Sequence, residues 1–506
     1  MIPSQLRATS SNCIGLQRAA AALLCGGRLG YHTLRTQTFR SPSLFQRCLS
    51  PQSITPNTKP TPSSLRSWTL RPLRGLSTGK IVLKPTSAAA LSTIEDTTKH
   101  VGITPTAQLS AGGDTVQVLF EDGAKSEYHN IWLRDHCRCP QCFHPKTKQR
   151  LVPSHAIPLN IRPISFTVTP TTSNSQAALH VTWPPIEGVE VSPHASTYSL
   201  SWLGDHSYYP VIRRPESRQP RKRTLWGAEL SQRIDAGDLS TPYEEVMKSE
   251  AGLAPWLRHI AEFGIGFVDG VPATMEDTEK VARRIAHLRE THYGGFWSFE
   301  ADMSHGDLAY STVRLGAHND TTYFTDPVGL QMWHQLLHTG TGGASLYVDG
   351  FHCASKLLTT DPQAYDTLSR IPIRAHAAGD PHVLVYTEHP TAGFPILNHD
   401  PTTGALHRVR YNSDDRSALD CLAPSDVPEF YRALQAWHAI ISSEKNECWT
   451  QLRPGRLVVI DNTRVMHGRA AFVGRRVMCG AYIGVDDFWS RVRTVAEGGR
   501  ARDEAI

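Results

Sequence analysis

The sequence predicts a mainly β protein with flanking helices, in which a small β-rich domain precedes a larger jelly-roll core, that is, a double-stranded β-helix. Three observations predict this fold class. Short runs that alternate apolar and polar residues occupy the first region, and short apolar runs separated by Gly and Pro dominate the chain from about residue 310. Few amphipathic helical patterns interrupt the larger region. We find no internal repeat in the sequence.

Residues 1–98 are expected to be a mitochondrial transit peptide followed by a disordered linker. No Asp or Glu occurs before Glu95, whereas residues 1–94 contain 12 Lys and Arg. An acid-free segment rich in Arg, Ser and Ala is typical of a transit peptide, and the Pro-, Ser- and Thr-rich stretch after residue 50 is typical of disorder. A disordered basic tail is the alternative. A transit peptide predicts a location in the mitochondrial matrix.

The positive net charge does not indicate a nucleic-acid partner. The formal net charge is +5, but subtracting the 12 basic residues of the leader from the 52 Lys and Arg leaves 40 against 47 Asp and Glu. The folded part is therefore acidic. No apolar run approaches the roughly 18 residues that span a bilayer. We expect neither a nucleic-acid partner nor a membrane partner.

The small domain is predicted over residues 105–205. VQVLF at 116–120 and LHVTW at 179–183 both alternate in the manner of half-buried strands. Pro184 and Pro185 end the second of these strands, because proline cannot donate to a sheet ladder.

The larger domain is predicted over residues 225–495. Thr274 and Asp277 resemble a helix-capping box ahead of an apolar helical face, and a second helical stripe is centred on Trp437. LVVI at 457–460 and the following RVMHGR indicate two late core strands.

Two histidines and one carboxylate are candidates for a metal site in the larger domain. His318 and Asp320 are two residues apart near the start of the β core, and His467 lies near its end. This donor set, with coordination positions left open, is the facial triad of non-haem Fe(II) oxygenases. A bare His-x-Asp is common by chance, so the interpretation depends on other residues.

Arg476 and Ser345 are candidates for binding a 2-oxo dicarboxylate co-substrate. Arg476 lies one strand beyond His467, and a guanidinium matches the geometry of a carboxylate. Ser345 could add a hydroxyl to the same carboxylate. Each residue could instead be an ordinary surface charge or turn residue, and Arg475 competes directly with Arg476.

Four segments together resemble the γ-butyrobetaine/trimethyllysine dioxygenase family: HNDTTYFTDPVGLQMWHQL, GGASLYVDGF, VRYNSDDR and RPGRLVVIDNTRVMHGR. The resemblance covers roughly residues 105–490. Members of this family are Fe(II)- and 2-oxoglutarate-dependent enzymes of carnitine biosynthesis. This chain has Asn319 where the family usually has Thr, and Ser345 where Thr is commoner. The resemblance implies that His318, Asp320 and His467 bind Fe(II) and that Arg476 and Ser345 bind 2-oxoglutarate.

The resemblance also implies an aromatic cage for a trimethylammonium group. A quaternary ammonium has no N–H to donate, so ring faces recognise it by cation–π attraction. Core packing is the alternative for each aromatic residue taken singly. The residues that match the cage are Tyr293, Trp297, Tyr310 and Tyr482, and those that match polar substrate contacts are Asp307 and Asn412.

Three cysteines within six residues predict a second metal site, in the small domain. Cys137, Cys139 and Cys142 supply three thiolates, and His194 stands where the family has a fourth ligand. Three cysteines and one histidine form a closed, structural zinc site. His144 is the main rival of His194 as the fourth ligand.

The resemblance implies that the protein is a 2-oxoglutarate-dependent dioxygenase. The expected reaction hydroxylates N6,N6,N6-trimethyl-lysine to the 3-hydroxy product, with dioxygen and 2-oxoglutarate as co-substrates and ascorbate as reductant. The expected assembly is a homodimer. Two alternatives remain. The chain could hydroxylate γ-butyrobetaine to carnitine, or it could be a non-catalytic relative that binds without turnover.

Overall fold

The computed structural model describes residues 103–214, 221–301, 311–379, 385–387, 389 and 393–499. The predicted transit peptide and linker at 1–98 lie outside the described residues. Across these described ranges, no helix has the length and apolar character needed to cross a membrane.

The N-terminal region contains two three-stranded antiparallel sheets, each followed by a short helix. The strands that the sequence predicts at 116–120 and 179–183 are the central strands of these two sheets. The elements are β1 Thr106–Leu109, β2 Thr115–Leu119, β3 Lys125–His129, α1 Asn130–Asp135, β4 Ser165–Thr169, β5 Ala178–Trp183, β6 His194–Ser199 and α2 Leu200–Asp205, with one 3-10 turn at Ser154–Ala156.

These two βββα units are repeats, which corrects the expectation that the chain has none. Identical residues recur at a constant offset of 70 across the end of the third strand and the helix of each unit. The local geometry recurs as well, since in both helices the histidine ring stacks on the tryptophan at a centroid distance of 4.2 Å. The matched pairs are Tyr128 and Tyr198, Trp132 and Trp202, Leu133 and Leu203, Asp135 and Asp205, and His136 and His206.

The repeats hold each other through exchanged hydrogen bonds. The Tyr128 hydroxyl donates to the carbonyl of Leu203 at 2.6 Å, and the Tyr198 hydroxyl donates to the carbonyl of Leu133. Both tyrosines are buried, and each hydroxyl donates to a carbonyl of the opposite repeat. The two sheets and helices therefore enclose one shared core.

Two antiparallel sheets form the centre of the larger region. The first has six strands in the order β7-β8-β19-β11-β22-β9, of which only β7 and β8 are parallel, and the second has four strands in the order β10-β20-β13-β18. The strands are β7 Ser240–Pro242, β8 Ile265–Asp269, β9 Phe296–Glu300, β10 Leu315–His318, β11 Leu330–His338, β12 Thr341–Gly342, β13 Ser345–Asp349, β14 His376–Ala377, β15 Tyr386–Thr387, β16 Leu397–His399, β17 Leu406–Val409, β18 Cys448–Thr450, β19 Arg456–Asp461, β20 Val465–Arg469, β21 Phe472–Val473 and β22 Arg476–Ile483.

Helices cover the outer faces of both sheets. The capping box at Thr274 begins the sixth helix as predicted, and the stripe around Trp437 lies on the ninth. The helices are α3 Leu230–Ala236, α4 Tyr243–Lys248, α5 Glu250–Phe263, α6 Met275–Ile285, α7 Gly350–Thr360, α8 Pro362–Arg370, α9 Asp426–Ile441 and α10 Val485–Arg491, followed by a π-helical turn at Val492–Ala496.

Alternation along the strands divides the core into layers. In β19, Leu457 and Val459 pack against α5 and α6, whereas Val458 and Ile460 point between the sheets, where they meet Tyr347 of β13. Two facing sheets with helices outside them form the predicted jelly-roll core. The predicted fold class, a mainly β core preceded by a small β domain, is confirmed.

A buried ion pair joins the two sheets to the segments around them. Arg464, in the turn between β19 and β20, donates from Nε and Nη2 to the carboxylate of Asp349 at 3.1 and 2.8 Å. The same guanidinium donates to the carbonyls of Glu262 and Thr224. Asp349 also accepts the backbone N–H of Phe351 and thereby caps α7. Each charge is fully buried and fully hydrogen-bonded.

We expect Arg464→Met to destabilise the fold severely. The substitution leaves Asp349 as a buried carboxylate without a cation, which costs about 3–5 kcal/mol in comparable sites. Urea unfolding followed by circular dichroism measures the change. Arg283→Met is the matched control, because Arg283 pairs with Glu279 on the surface of α6. A loss no larger than that of the control would contradict this assignment.

Candidate active site

A cavity of about 610 Å³ opens between the two sheets of the larger region. Its walls come from β9, β11 and β22 on one side and from β10, β13 and β20 on the other. β11, β13 and β22 contribute alternate residues to the lining, because alternate side chains of a strand face the same way. Polar and aromatic groups from distant parts of the chain therefore converge here.

The structure brings the three candidate iron ligands together in this cavity. β10 pairs with β20 so that His318 lies directly opposite His467. The Nε2 atoms of the two histidines lie 3.4 and 3.5 Å from Oδ1 of Asp320. The Nδ1 atom of His318 is 2.8 Å from the carbonyl of Gly316, and this contact orients the ring with Nε2 towards the other two donors.

Hydrogen bonds hold both the side chain and the backbone of Asp320. Its Oδ2 accepts from the Tyr482 hydroxyl at 2.8 Å and from the side-chain amide of Gln331. Its backbone N–H donates to Oδ1 of Asn462 at 2.9 Å, and its carbonyl accepts from Nδ2 of the same asparagine at 3.0 Å. The carboxylate orientation is therefore built into the fold.

Asn319 points away from the cavity, as expected for the residue between two ligands. It is buried, and its Nδ2 donates to the carbonyls of Asn462 and Val465, while its Oδ1 accepts the N–H of Tyr411. Next to the ligands, Thr321 adopts a positive φ of 54°. Such strain persists only where the surroundings impose it, and it is concentrated at functional sites.

The charges at the triad suit a metal ion. Burial lowers the pKa of His318, but its hydrogen bond and charge interaction with Asp320 outweigh burial and raise that pKa to about 9. Burial raises the pKa of Asp320, but the two histidines hold it well below its usual range. Burial and the charge of His318 lower the pKa of His467 to about 3. A divalent cation bound by the three donors would displace the proton from His318, because metal ligands must be unprotonated. These donors fit Fe(II).

Arg476 and Arg475 lie on different sides of the sheet. Arg476 is buried and lines the cavity, as does Ser345 at the start of β13. Arg475 is on the surface, where its Nε and Nη2 donate to both carboxylate oxygens of Glu300 at 2.8 and 3.0 Å. Of these two neighbouring arginines, Arg476 is the one that lines the cavity.

A second buried arginine, Arg469, lines the same end of the cavity and was not identified from the sequence. It donates to the carbonyls of Ser311 and Val313, and both Arg469 and Arg476 lie over the ring of Phe472. Burial and repulsion from Arg469 lower the pKa of Arg476 to about 10. Two cations held so close create a site for an anion.

The aromatic candidates form a wall beside the triad. Trp297 of β9 and Tyr482 of β22 have ring centroids 5.5 Å apart, and Tyr293 lines the same part of the cavity. Gly480, directly opposite Trp297 in the sheet, makes this possible, since a Cβ on Gly480 would lie 2.5 Å from the indole. Asp307 and Tyr310, which were also predicted to bind substrate, lie outside the described residues.

Asn412 lies at the cavity wall in a loop that also carries two acids. Its Oδ1 accepts the N–H of Asp414 at 3.0 Å, and its Nδ2 donates to Asp415 at 2.8 Å. Both acids line the cavity, and the charge of Asp415 contributes to the raised pKa of His318. Asp415 lies in the segment VRYNSDDR, which carries part of the family resemblance, but no pattern in the sequence singled it out.

The second candidate metal site lies in the N-terminal region. The Sγ atoms of Cys137, Cys139 and Cys142 are 3.3, 3.5 and 3.3 Å from Nε2 of His194. The hydrogen bond from Cys142 lowers the pKa of the Cys137 thiol to about 4 despite burial. Three sulfurs and one imidazole nitrogen within 4.8 Å of one another fit tetrahedral Zn²⁺.

His194, not His144, is the histidine at this cluster. His144 instead accepts the backbone N–H groups of Lys146 and Thr147 and so stabilises a turn. On its other side, the Nδ1 atom of His194 is 3.2 Å from the carboxylate of Glu190, a contact typical of metal-binding histidines. Arg134 bridges this carboxylate and the sulfur of Cys142.

Two family models match the chain. Residues 220–482 match the family described as "Taurine catabolism dioxygenase TauD, TfdA family". Residues 107–204 match the description "Gamma-butyrobetaine hydroxylase-like, N-terminal".

Curated relatives match over most of the chain. Trimethyllysine dioxygenase of Meyerozyma guilliermondii is 40% identical over 404 residues, which cover 78% of this chain and 97% of the relative. Mitochondrial trimethyllysine dioxygenase of Rattus norvegicus is 38% identical over 366 residues, covering 72% and 81%. The mitochondrial enzyme of Homo sapiens is 37% identical over 363 residues, with the same coverage of 72% and 81%.

We expect His194→Ala to remove zinc and destabilise the protein, because a structural metal contributes its binding free energy to folding. Zinc content is measured by inductively coupled plasma mass spectrometry, and the melting temperature by calorimetry. The control His144→Ala removes only a turn contact and should retain zinc. Retention of zinc in His194→Ala would exclude His194 as a ligand, and loss of zinc in the control would contradict the turn role assigned to His144.

Proposed function

This chain belongs to the trimethyllysine dioxygenase family, within the TauD, TfdA dioxygenases, and from that membership we propose that it hydroxylates N6,N6,N6-trimethyl-lysine at C3. The reaction uses dioxygen and 2-oxoglutarate and is the first step of carnitine biosynthesis. One observation carries the proposal. His318, Asp320 and His467 converge in a cavity that also contains a buried arginine and an aromatic wall.

We assign Fe(II) to His318, Asp320 and His467. Bound iron would couple the oxidative decarboxylation of 2-oxoglutarate to hydroxylation of the substrate. The protein's part is positioning: the backbone carbonyl of Gly316 orients His318, and Tyr482 and Gln331 orient Asp320. The sheets on both sides limit the access of water to the reacting carbon.

Arg476 and Ser345 would bind the distal carboxylate of 2-oxoglutarate. A guanidinium can pair with a carboxylate through two parallel hydrogen bonds, and this pairing strengthens when water is excluded. Burial of Arg476 supports the assignment, because a buried cation needs an anionic partner to offset its lost hydration.

Tyr293, Trp297 and Tyr482 would hold the trimethylammonium group against their ring faces, together with Tyr310. The tilted arrangement of Trp297 and Tyr482 supports this role, since two rings at an angle can contact one cation from two directions. The predicted substrate contacts Asp307 and Asn412 complete the proposed site.

γ-Butyrobetaine is the second candidate substrate, favoured by the description of the N-terminal family. Trimethyllysine has two more methylenes between the reacting carbon and the nitrogen, so a cage for it lies roughly 2.5 Å farther from iron, given C–C bonds of about 1.5 Å. The full-length relatives above are all trimethyllysine dioxygenases, which supports the longer substrate. A non-catalytic role is the weaker alternative, because the complete triad is retained.

The remaining assignments rest on the family. The mammalian relatives, which are named mitochondrial enzymes, and the acid-free leader support a mitochondrial matrix location. Three cysteines with His194 support a structural zinc ion. The ascorbate requirement and the homodimer rest on the family resemblance alone.

Competition between the two substrates tests the proposed function. Full-length protein with Fe(II), 2-oxoglutarate and ascorbate receives trimethyllysine and γ-butyrobetaine at equal concentration, and mass spectrometry follows both products. We expect 3-hydroxy-trimethyllysine to form faster than carnitine, and His467→Ala to form neither. Faster formation of carnitine would make γ-butyrobetaine the substrate, and no product from either would leave the non-catalytic alternative.

Substitutions at the two ends of the cavity should each raise KM for a different compound. Trp297→Ala should raise KM for trimethyllysine roughly thirtyfold, since a desolvated cation–π contact contributes about 2 kcal/mol. KM for 2-oxoglutarate should change little. Arg476→Met should raise KM for 2-oxoglutarate by a similar factor or more, because it removes a buried charge pair worth at least about 2 kcal/mol. Steady-state kinetics with each compound varied measures both effects. Equal effects on both compounds would contradict the two assignments.

A further inference from the structure

Strand β13 runs along the cavity from the metal site to the end that holds the buried arginines. In the pairing of β13 with β20, Tyr347 lies directly opposite His467, and Ser345 lies opposite Arg469. Ser345 and Tyr347 are two residues apart, about 6.6 Å along a strand, and both line the cavity because alternate side chains share a face. One strand therefore provides side chains beside the proposed iron site and at the proposed carboxylate site.

Tyr347 is packed tightly between the two sheets. The residue is 1% exposed, and its ring meets that of Phe267 on β8 edge to face, at a centroid distance of 6.5 Å. Val458 and Met478 of the facing sheet belong to the same buried cluster. A side chain in a close-packed core keeps its rotamer, so the position of the Tyr347 hydroxyl is fixed before a ligand binds.

Two buried donors in this cavity lack a hydrogen-bond acceptor. Among the residues that the structure describes, neither the hydroxyl of Tyr347 nor Nε of Arg476 has a hydrogen-bond partner. Both residues are more than nine-tenths buried, and both line the cavity. A buried polar group without a partner is destabilising and rare, so two such donors in one cavity indicate a ligand that accepts hydrogen bonds.

The Tyr347 hydroxyl lies near the groups that are proposed to bind 2-oxoglutarate. Burial raises the pKa of Tyr347 and outweighs the hydroxyl of Ser345 and the charge of Arg476, which both lower it. The tyrosine therefore keeps its proton at neutral pH and can donate it to an acceptor. A carboxylate has about four lone-pair directions, so it can accept from all three side chains together.

We propose that Tyr347 is a further residue that selects the co-substrate, because its hydroxyl donates a hydrogen bond to the distal carboxylate of 2-oxoglutarate beside Arg476 and Ser345. This inference rests on the proposed function. Since Tyr347 begins opposite His467, one rigid side chain relates the metal site to the carboxylate site. A 2-oxo acid without a second carboxylate leaves the buried donors unpaired, and sites built for hydrogen bonding reject such analogues.

The test is Tyr347→Phe, which removes the hydroxyl and keeps the ring. Titration calorimetry without dioxygen measures the Kd of the full-length, Fe(II)-loaded protein for 2-oxoglutarate and for 2-oxopentanoate, in which a methyl group replaces the distal carboxylate. We expect the variant to bind 2-oxoglutarate at least tenfold more weakly. Tenfold corresponds to about 1.4 kcal/mol, slightly less than a hydrogen bond to a charged group usually contributes. The Kd for 2-oxopentanoate should not change.

Tyr365→Phe is the matched control. The Tyr365 hydroxyl, on α8, is 2.8 Å from Nε2 of His399, and neither residue belongs to the cavity lining. This variant should therefore keep the wild-type Kd for both acids.

Thermal unfolding shows whether the Tyr347 hydroxyl has a structural role instead. Because this hydroxyl has no hydrogen-bond partner in the part of the chain that the structure describes, ligand-free Tyr347→Phe should melt no lower than wild type. 2-Oxoglutarate should raise the melting temperature of the variant less than that of wild type, since stabilisation by a ligand decreases as Kd rises. A lower melting temperature without ligand, or failure to fold, overturns the inference.

The same measurements separate this inference from the proposed function. If wild type binds 2-oxoglutarate but does not hydroxylate trimethyllysine, the proposed function fails, and tenfold weaker binding by Tyr347→Phe still supports the inference. If wild type hydroxylates trimethyllysine while Tyr347→Phe keeps the wild-type Kd for 2-oxoglutarate, the inference is overturned and the proposed function stands. Equal weakening of both acids overturns the inference as well. A wild type that does not bind 2-oxoglutarate overturns both.

Discussion

The site depends on an exchange of hydrogen bonds between two segments that are far apart in sequence. Asn462 binds the backbone of Asp320 through both ends of its side-chain amide, and Asn319 returns bonds to the carbonyls of Asn462 and Val465. The bonds that Asn319 donates are buried, so breaking one would leave a polar group with neither its partner nor water. The exchange aligns β10 with β20, and that alignment sets His318 against His467.

Some parts of the site could be predicted from the sequence, and others could not. The donor types and their order along the chain identified the triad and the cysteine cluster. The family resemblance favoured Arg476 over its rival Arg475, and the strand itself carries a second signal for that choice. Arg476 and Tyr482 are six residues apart in one strand and therefore share a face, whereas Arg475 precedes the strand. Asp415 carried no signal, because a loop has no periodicity that assigns a direction to a side chain.

Some elements of the fold could also be predicted from the sequence, whereas the repeat could not. β2 and β5 alternate clearly, β19 is a short continuous apolar run, and Thr274 marks a helix start by a local hydrogen bond. The repeat was missed because the identical residues are confined to the end of the third strand and the helix of each unit. The rest of the two units differs in sequence. Its evidence is spatial: two tyrosines that satisfy their hydroxyls on each other's helices.

Because of these exchanged hydrogen bonds, the two repeats of the N-terminal region associate in the way that two subunits of a dimer do, although they belong to one chain. Because the two halves are covalently joined, their association is unimolecular, and dilution cannot separate them. Neither half can open without stranding a buried hydroxyl of the other, so the pair should unfold in a single cooperative step. The cysteine cluster reinforces this coupling, since its thiols follow α1 of the first half whereas His194 begins β6 of the second. The cysteine cluster and His194 therefore join the two repeats at a second point.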